Sequence, residues 1–450
     1  MKLRGKLKKI NGDTKTVLSN MAVAFIIKGF SLILSFLMTP AFILFFGDNT
    51  VLGVWYTMLS VLSWFLNFDL GIGNGIRNNL VKSIANKDYT EAKKTISSGM
   101  VSTGIVSVFL GLVGMGLLML LDLHKVFNVT QDVIPTNVLY LSTLMVFIAI
   151  MLRFFLTTVT SVFYAIQKSS INNFLTLVVS LLQFVFIKTA KFESAADGLF
   201  ALSVAYLVIS NLPVAIAGVI VFGTKLKNCR PNIKYVERHA AKQIMGIGTV
   251  FFSCQIFYMI IMNTNSFLIT NQFGAEYTAE YEFYYRLTSL ISMIVTLAVT
   301  PIWSMVTKAI SEKKYNWLCK LYRIMKIAGF SAIAVQFLIL PFEQWLMDIW
   351  LRENSITVKM PIAIAFACFG ATFVYSSILS TIVCGMARMK LQAIMYGIGA
   401  TCKIAIVLLA SRWMVDWSIV VWSNVIVLLP YCIVQQIDLD CYLKKLREAT

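Results

Sequence analysis

The sequence predicts an all-α polytopic membrane protein with twelve transmembrane helices in two six-helix lobes. Three observations predict it. Twelve long apolar stretches fill the 450 residues, almost every basic residue falls in alternate gaps between them, and the pattern repeats at mid-chain. A span needs about 20 mostly apolar residues to cross about 30 Å of hydrocarbon. With 58% hydrophobic and 13% charged residues and a mean hydropathy of +0.77, a water-soluble fold is excluded for the chain as a whole.

Residues 1–17 form a basic tail in which Leu3, Leu7 and Ile10 alternate with cations, as in a short interfacial helix; a solvated tail is the competing reading. The apolar run that follows is too long for a signal peptide and no small-residue cleavage site follows it. Spans near 18–46, 51–70, 97–121, 137–165, 170–187 and 199–223 make an N-terminal lobe over 18–224. The linker, 225–245, contains Cys229-Arg230-Pro231-Asn232, and its charge and proline suit an exposed cytoplasmic connection. Spans near 246–271, 283–307, 327–347, 361–386, 391–411 and 417–436 make a C-terminal lobe over 246–437. Residues 438–450 form the second cytoplasmic tail.

The net charge of +18 is unevenly placed. Of 39 basic residues, 29 fall in the gaps on the side of the two termini and six in the opposite gaps. Positive-inside bias therefore puts both termini in the cytoplasm. The basic excess is a topology signal that favours anionic membrane lipids. It does not indicate nucleic acid, because no basic cluster stands beside a folded soluble region. The eight cysteines lie in spans or on the cytoplasmic side, which indicates no disulfide framework, and two histidines offer no metal spacing.

The repeat is one of register. Phe46-Gly47 and Phe273-Gly274 close the first span of each half, Lys87-Asp88-Tyr89 and Lys313-Lys314-Tyr315 follow the second, and Ile166-Gln167-Lys168 and Met386-Ala387-Arg388 follow the fourth. Six spans per half make both halves enter the membrane in the same direction. They are then related by a pseudo-twofold along the membrane normal, a build that places a substrate site between the halves near the midplane.

Four cations are left inside the spans: Lys28, Arg153, Arg286 and Lys403. Each costs roughly 2.5–3.5 kcal/mol at a helix centre, so each needs a wet cavity, a partner or an anion. Each also sits on a polar helical face. Lys28 shares one with Ser31, Ser35 and Thr39; Arg153 with Thr157, Thr160 and Tyr164; Arg286 with Ser289, Thr296 and Thr300; Lys403 with Gln392, Tyr396 and Gly399. Tyr56, Ser60, Ser63 and Asn67 make a fifth stripe and Asn172, Thr176, Ser180 and Gln183 a sixth. For any one stripe, helix packing with hydroxyls bonding their own backbone competes evenly. Six together favour a shared aqueous cavity. The repeat pairs Lys28 with Gln255 and Lys403 with Gln183, a cation against an amide each time. Acids are nearly absent from the spans, with only Asp69 inside and Glu343 at an outer end, so the lumen prefers an anionic cargo.

Residues 68–79, Phe-Asp-Leu-Gly-Ile-Gly-Asn-Gly-Ile-Arg-Asn-Asn, lie where the second span reaches the cytoplasm. Gly71, Gly73 and Gly75 loosen the helix there. No strand precedes them, so a dinucleotide fold is excluded. Asp69 and Arg77 are placed to pair structurally, to gate the inner mouth, or to carry a coupling ion, H+ or Na+.

Asp69-Leu70-Gly71-Ile72-Gly73 with Asn74, Arg77 and the later Tyr89-Glu91-Ala92 resembles the second-span signature of polysaccharide exporters. These are the Wzx-type O-antigen and capsule flippases of the multidrug/oligosaccharidyl-lipid/polysaccharide exporter superfamily. The resemblance extends over the whole chain in span number, two-lobe repeat and charge layout. It implies a MATE-like fold with a V-shaped cavity in the bacterial inner membrane. The implied cargo is an oligosaccharide on a polyprenyl diphosphate, and the implied partners are other polysaccharide-assembly membrane proteins. Lys28, Arg153, Arg286 and Lys403 fit the cationic lumen of that family. No cofactor is implied.

A small-molecule exporter on the same fold is the first alternative, although it would want acids in the cavity for cationic drugs. A membrane glycosyltransferase or polymerase is the second. Its large outer loop is missing: the longest outer gaps, 121–135 and 188–198, are short. Asp438-Leu439-Asp440 mimics a metal-binding triplet but has no catalytic domain around it.

Overall fold

The computed structural model describes residues 27, 29–31, 33–67, 72–166, 168–238, 249–299, 302–311, 313–413 and 416–448. Among them it consists of helices and short turns, with no strand. In chain order these are α1 (Gly29–Phe46), α2 (Asn49–Asn67), α3 (Ile72–Ala85), α4 (Tyr89–Leu120), α5 (Leu123–Phe127), α6 (Thr136–Ala165), α7 (Ser169–Thr189) and α8 (Ala195–Gly223). Then follow α9 (Thr249–Asn263), α10 (Asn265–Gln272), α11 (Ala275–Val299), α12 (Ile302–Ser311), α13 (Tyr315–Leu338), α14 (Glu343–Leu351), α15 (Met360–Gly385), α16 (Lys390–Ala410) and α17 (Ser418–Glu448).

Nine of the described helices, α1, α4, α6, α7, α8, α13, α15, α16 and α17, are long and apolar enough to cross a membrane. The other three expected spans fall on α2, on the pair α9–α10 and on the pair α11–α12. The chain is thus a multi-pass helical membrane protein. Its surface agrees: Leu120 is 84% and Val219 74% exposed, while Ser98, Ser142, Thr158 and Asn424 are buried. An apolar exterior, with hydroxyls and amides buried among the apolar core, is the distribution lipid demands.

Two helices start ahead of their expected spans, each at a side-chain cap. Asp88 accepts from the Glu91 amide (2.9 Å), so α4 starts at Tyr89, ahead of the expected 97. Ser194 accepts from the Asp197 amide (3.1 Å) and starts α8. The repeat is written in the backbone as well. Gly47 and Gly274 both have positive φ (64° and 131°), and Lys87 and Lys313 both turn through the left-handed region at 58° and 54°. Ala387 does so at 55°, while its counterpart Gln167 lies outside the described residues.

Packing divides the chain into two units. Unit 1 comprises Met1–Gly47, Phe68–Leu121 and Pro135–Ile247. Its hub is α6, packed on α3, α4 and α8. Thr103 and Thr158 hydroxyls bond across α4 and α6 (2.8 Å), Ser107 donates to the Met151 carbonyl (2.8 Å), and Asn211 of α8 donates to the Ala149 carbonyl (3.0 Å). The start of the linker, residues 225–238, is exposed at most of its positions and is also anchored at a few points to α4. Cys229 is buried, Ser97 accepts from the Asn232 amide (3.0 Å), Ser98 accepts from the Glu237 amide (2.9 Å), and Lys94 pairs with Glu237 (2.9 Å). The buried Cys229 and these hydrogen bonds hold the segment against α4 despite its charge.

Unit 2 comprises Asp48–Asn67, Asp122–Ile134 and Gly248–Thr450, with α15 as its mostly buried hub against α11, α13 and α17. α2, which chain order assigns to the N-terminal lobe, therefore packs in unit 2. Thr57, Thr270 and Thr278 form a buried hydroxyl chain (2.5 and 2.6 Å) that ties α2 to α10 and α11.

Candidate functional site

In unit 1, α6 carries Arg153 half-buried in the membrane span. Its Nη1 donates to the Ser210 carbonyl of α8 at 3.1 Å, and no carboxylate pairs with it among the described residues. One carbonyl uses one of five guanidinium donors. Arg77 is exposed on α3, its guanidinium 5.5 Å from the Tyr164 ring centroid. Gln183 on α7 is partly buried. Lys28 and Asp69 lie outside the described residues, as does the side chain of Asn67.

In unit 2, Arg286 sits on α11 with Nε 3.7 Å from Glu282 Oε2 and its guanidinium 5.1 Å from the Tyr56 ring centroid. Ser266 donates to the other Glu282 oxygen (3.2 Å). α11 begins at Ala275, not near 283, and brings Glu280 and Glu282 onto the helix. Glu280 pairs with Lys359 (3.3 Å) and accepts from Trp417 Nε1 (3.2 Å). The signal was present in the sequence as Glu282 and Arg286 at i, i+4 spacing.

Lys403 is fully buried on α16. Its Nζ donates to the Ile261 carbonyl, to Asn265 Oδ1 (2.5 Å) and, at 3.5 Å, to the Ile260 carbonyl. Behind Asn265 stand Asn424 of α17, which donates to the same Oδ1 (3.0 Å), and Tyr281 of α11, whose hydroxyl accepts from Asn265 Nδ2 (3.0 Å). The sequence predicts a seventh span continuous over 246–271, which hides these partners. It breaks at Thr264, within the polar run Asn263-Thr264-Asn265.

Tyr396, expected on a cavity wall, is packed between Tyr431 (4.7 Å between ring centroids) and Tyr258 (5.6 Å). Gln255 is partly buried on α9. Many stripe hydroxyls satisfy themselves on their own helix: Ser31 on Ile27, Thr160 on Thr157, Thr176 on Asn172, Ser289 on Arg286 and Thr296 on Ser292. Those hydroxyls do not by themselves call for water. On the basic side, Asp438 pairs with Arg388 (3.5 Å) and Asp440 with Lys326 (3.0 Å).

An apolar groove of about 570 Å³ opens between α7 and α8. Phe174, Leu182, Leu212 and Ile216 line it, Pro213 lies in its wall, and Thr224 and the exposed Lys225 close its basic end. Pro213 has no amide hydrogen to give the Ile209 carbonyl, which loosens that turn of α8.

No family model and no curated protein sequence matches this chain. Solved structures do match it in fold. An inward-facing multidrug resistance MATE family transporter of the MOP superfamily superposes with a TM-score of 0.73 at 14% identity, over 95% of this chain and 99% of that one. A MATE in complex with MaL6 gives 0.65 at 14% identity over 95% and 96%. The Vibrio cholerae MATE transporter VcmN in its bent form gives 0.58 at 12% identity over 96% and 98%. The fold is MATE-like along essentially the whole chain.

Proposed function

We propose that this protein is a flippase. It moves an oligosaccharide linked through a diphosphate to a polyprenyl chain from the cytoplasmic to the outer leaflet, by alternating access. The observation that carries the reading is Arg153, a guanidinium inside the membrane span that, among the described residues, has one backbone carbonyl as its hydrogen-bond acceptor and further N–H donors to offer. Such a group matches a diphosphate, which arginine grips bidentately. Arg286 supplies a second cation, tempered by Glu282. The groove between α7 and α8 supports a lipid-linked cargo, because a long apolar cleft ending at Lys225 suits a chain with an anionic head. An inward-negative potential helps drive that head outward, by about 2.3 kcal/mol per charge per 100 mV. The reading carries with it an inner-membrane location with both termini in the cytoplasm, and transport in place of catalysis.

A second reading, export of small molecules, is favoured by the multidrug MATE neighbours and by the partly buried acid Glu282, which would suit a cationic drug.

The test is complementation in a host deleted for its own surface-polysaccharide flippase, with the neighbouring glycan-assembly genes supplied. Restored surface glycan, lost again in Arg153→Ala/Arg286→Ala, is expected. Normal export by that double variant would remove the cationic path. Failure to restore glycan despite confirmed lipid-linked precursor and membrane insertion, together with drug efflux, would favour the second reading.

A further inference from the structure

The break between α9 and α10 leaves helix-terminal carbonyls inside the protein. A helix end exposes its last four carbonyl oxygens and the negative end of its dipole. Here each is satisfied by a side chain. Asn263 accepts from Ser60 Oγ (2.9 Å) and Trp64 Nε1 (2.8 Å), and Met262 from Asn265 Nδ2 (3.4 Å). Ile260 accepts from Thr264 Oγ1 (2.6 Å), and Ile260 and Ile261 both face the ammonium of Lys403. That ammonium, fully buried, meets three oxygens and no carboxylate among the described residues.

An ammonium has three hydrogens to give, and three acceptors converge on it. Two are main-chain carbonyls at a half-helix C-terminus and the third is an amide oxygen, the donor set that hard monovalent cations take where a membrane helix is interrupted. Asn265 cannot turn its Oδ1 away without losing Tyr281 and Asn424. On α11, Glu282 is already engaged by Arg286 and Ser266, and Glu280 by Lys359 and Trp417.

We propose that Lys403 is a tethered cation. Its ammonium permanently fills a monovalent-cation site at the α9–α10 break, so this site functions without a dissociable Na+. The inference is independent of the cargo and holds whether the protein moves a lipid-linked saccharide or a small molecule. It also gives Lys403 a role distinct from that of Arg153 and Arg286: it holds the broken helix together and does not meet cargo.

The experiment uses the full-length protein in nanodiscs. Thermal stability is followed in NaCl and in choline chloride at equal ionic strength, for the wild type, Lys403→Ala, Lys403→Gln and Lys403→Met. The wild type is expected to melt identically in both salts. Lys403→Ala and Lys403→Gln are expected to melt lower in choline and to be rescued saturably by Na+, and Lys403→Ala also by n-propylammonium. Rescue of about 2–4 °C is the scale for ligand well above its dissociation constant. Lys403→Met, which fills the space with an apolar chain, is expected to stay blind to both ions. Saturable stabilisation of the wild type by Na+ would overturn the proposal, and this arm needs no variant to fold. So would Lys403→Ala or Lys403→Gln melting like the wild type in choline, or failing to respond to either cation. Na+-blind wild-type protein without glycan export would leave this inference standing and remove only the flippase reading.

Discussion

Gly53 and Ala275 pass so closely that a methyl group on Gly53 would lie 1.7 Å from the Ala275 carbonyl oxygen. The obstacle is backbone at the first residue of α11, so it cannot swing aside. Gly53→Ala must push α2 off α11 and strain the threonine chain Thr57–Thr270–Thr278. A loss of about 1–3 kcal/mol or more is expected, the scale of overpacking. Gly370→Ala is the matched control. Its methyl would meet Gln336 Nε2 at 2.2 Å, but that is the end of a flexible side chain. Thermal melts of the two variants should rank Gly53→Ala well below Gly370→Ala; the reverse order would mean that α2 is not held by this approach.

Glu282→Gln separates the two cargo readings. The variant keeps the shape, removes the carboxylate 3.7 Å from Arg286 and leaves Ser266 a partner. Both side chains are mostly shielded, so a stability cost of about 1–3 kcal/mol is expected, less than for a fully buried pair. Export of an anionic headgroup should hold or rise, because Arg286 is no longer neutralised. Efflux of cationic dyes, if the protein performs it, should fall about tenfold, the worth of one partly buried charge contact. Surface glycan and dye efflux from the same cells read both at once.

The outline of this fold was legible because it rests on lengths and periods. Lys87 and Lys313, matched by register alone, adopt the same left-handed turn, and Gly47 and Gly274 share their positive φ. The site was less legible because its partners come from elsewhere in the chain. Lys403 is read as costly from its own span, but Asn265, Asn424 and Tyr281, which accommodate it, sit on three other helices. A hydropathy window averages over Asn263-Thr264-Asn265 and misses the break that creates the need for a lysine. α2 illustrates the same limit: chain order assigns it to one half, and the Gly53–Ala275 approach packs it in the other unit.

Arg153→Lys tests whether geometry or charge matters at α6. Lysine keeps the charge and can still reach the Ser210 carbonyl, but loses the planar fork that takes two phosphate oxygens. Export should fall about tenfold in Arg153→Lys and further in Arg153→Ala, with melting temperatures little changed because the side chain is half-exposed. Equal export by Arg153→Lys and wild type would reduce Arg153 to a point charge.

Leu212→Trp tests the lipid half of the cargo. Leu212 is 51% exposed and lines the α7–α8 groove, so the indole has room to turn into the cleft without disturbing the α6–α8 contact on the other face. Along α8 the lined stretch from Val208 to Val221 runs about 20 Å at 1.5 Å per residue, longer than one leaflet's share of a hydrocarbon core about 30 Å thick. A chain longer than a phospholipid tail gains most from such a groove. Losing contact for two or so methylenes should slow export of a polyprenyl-linked saccharide about tenfold. Shortening the polyprenyl chain should shrink that difference, since a short chain never reaches Leu212. In reconstituted vesicles, the same loss for long and short chains would mean that the tail travels through bulk lipid, away from α7 and α8.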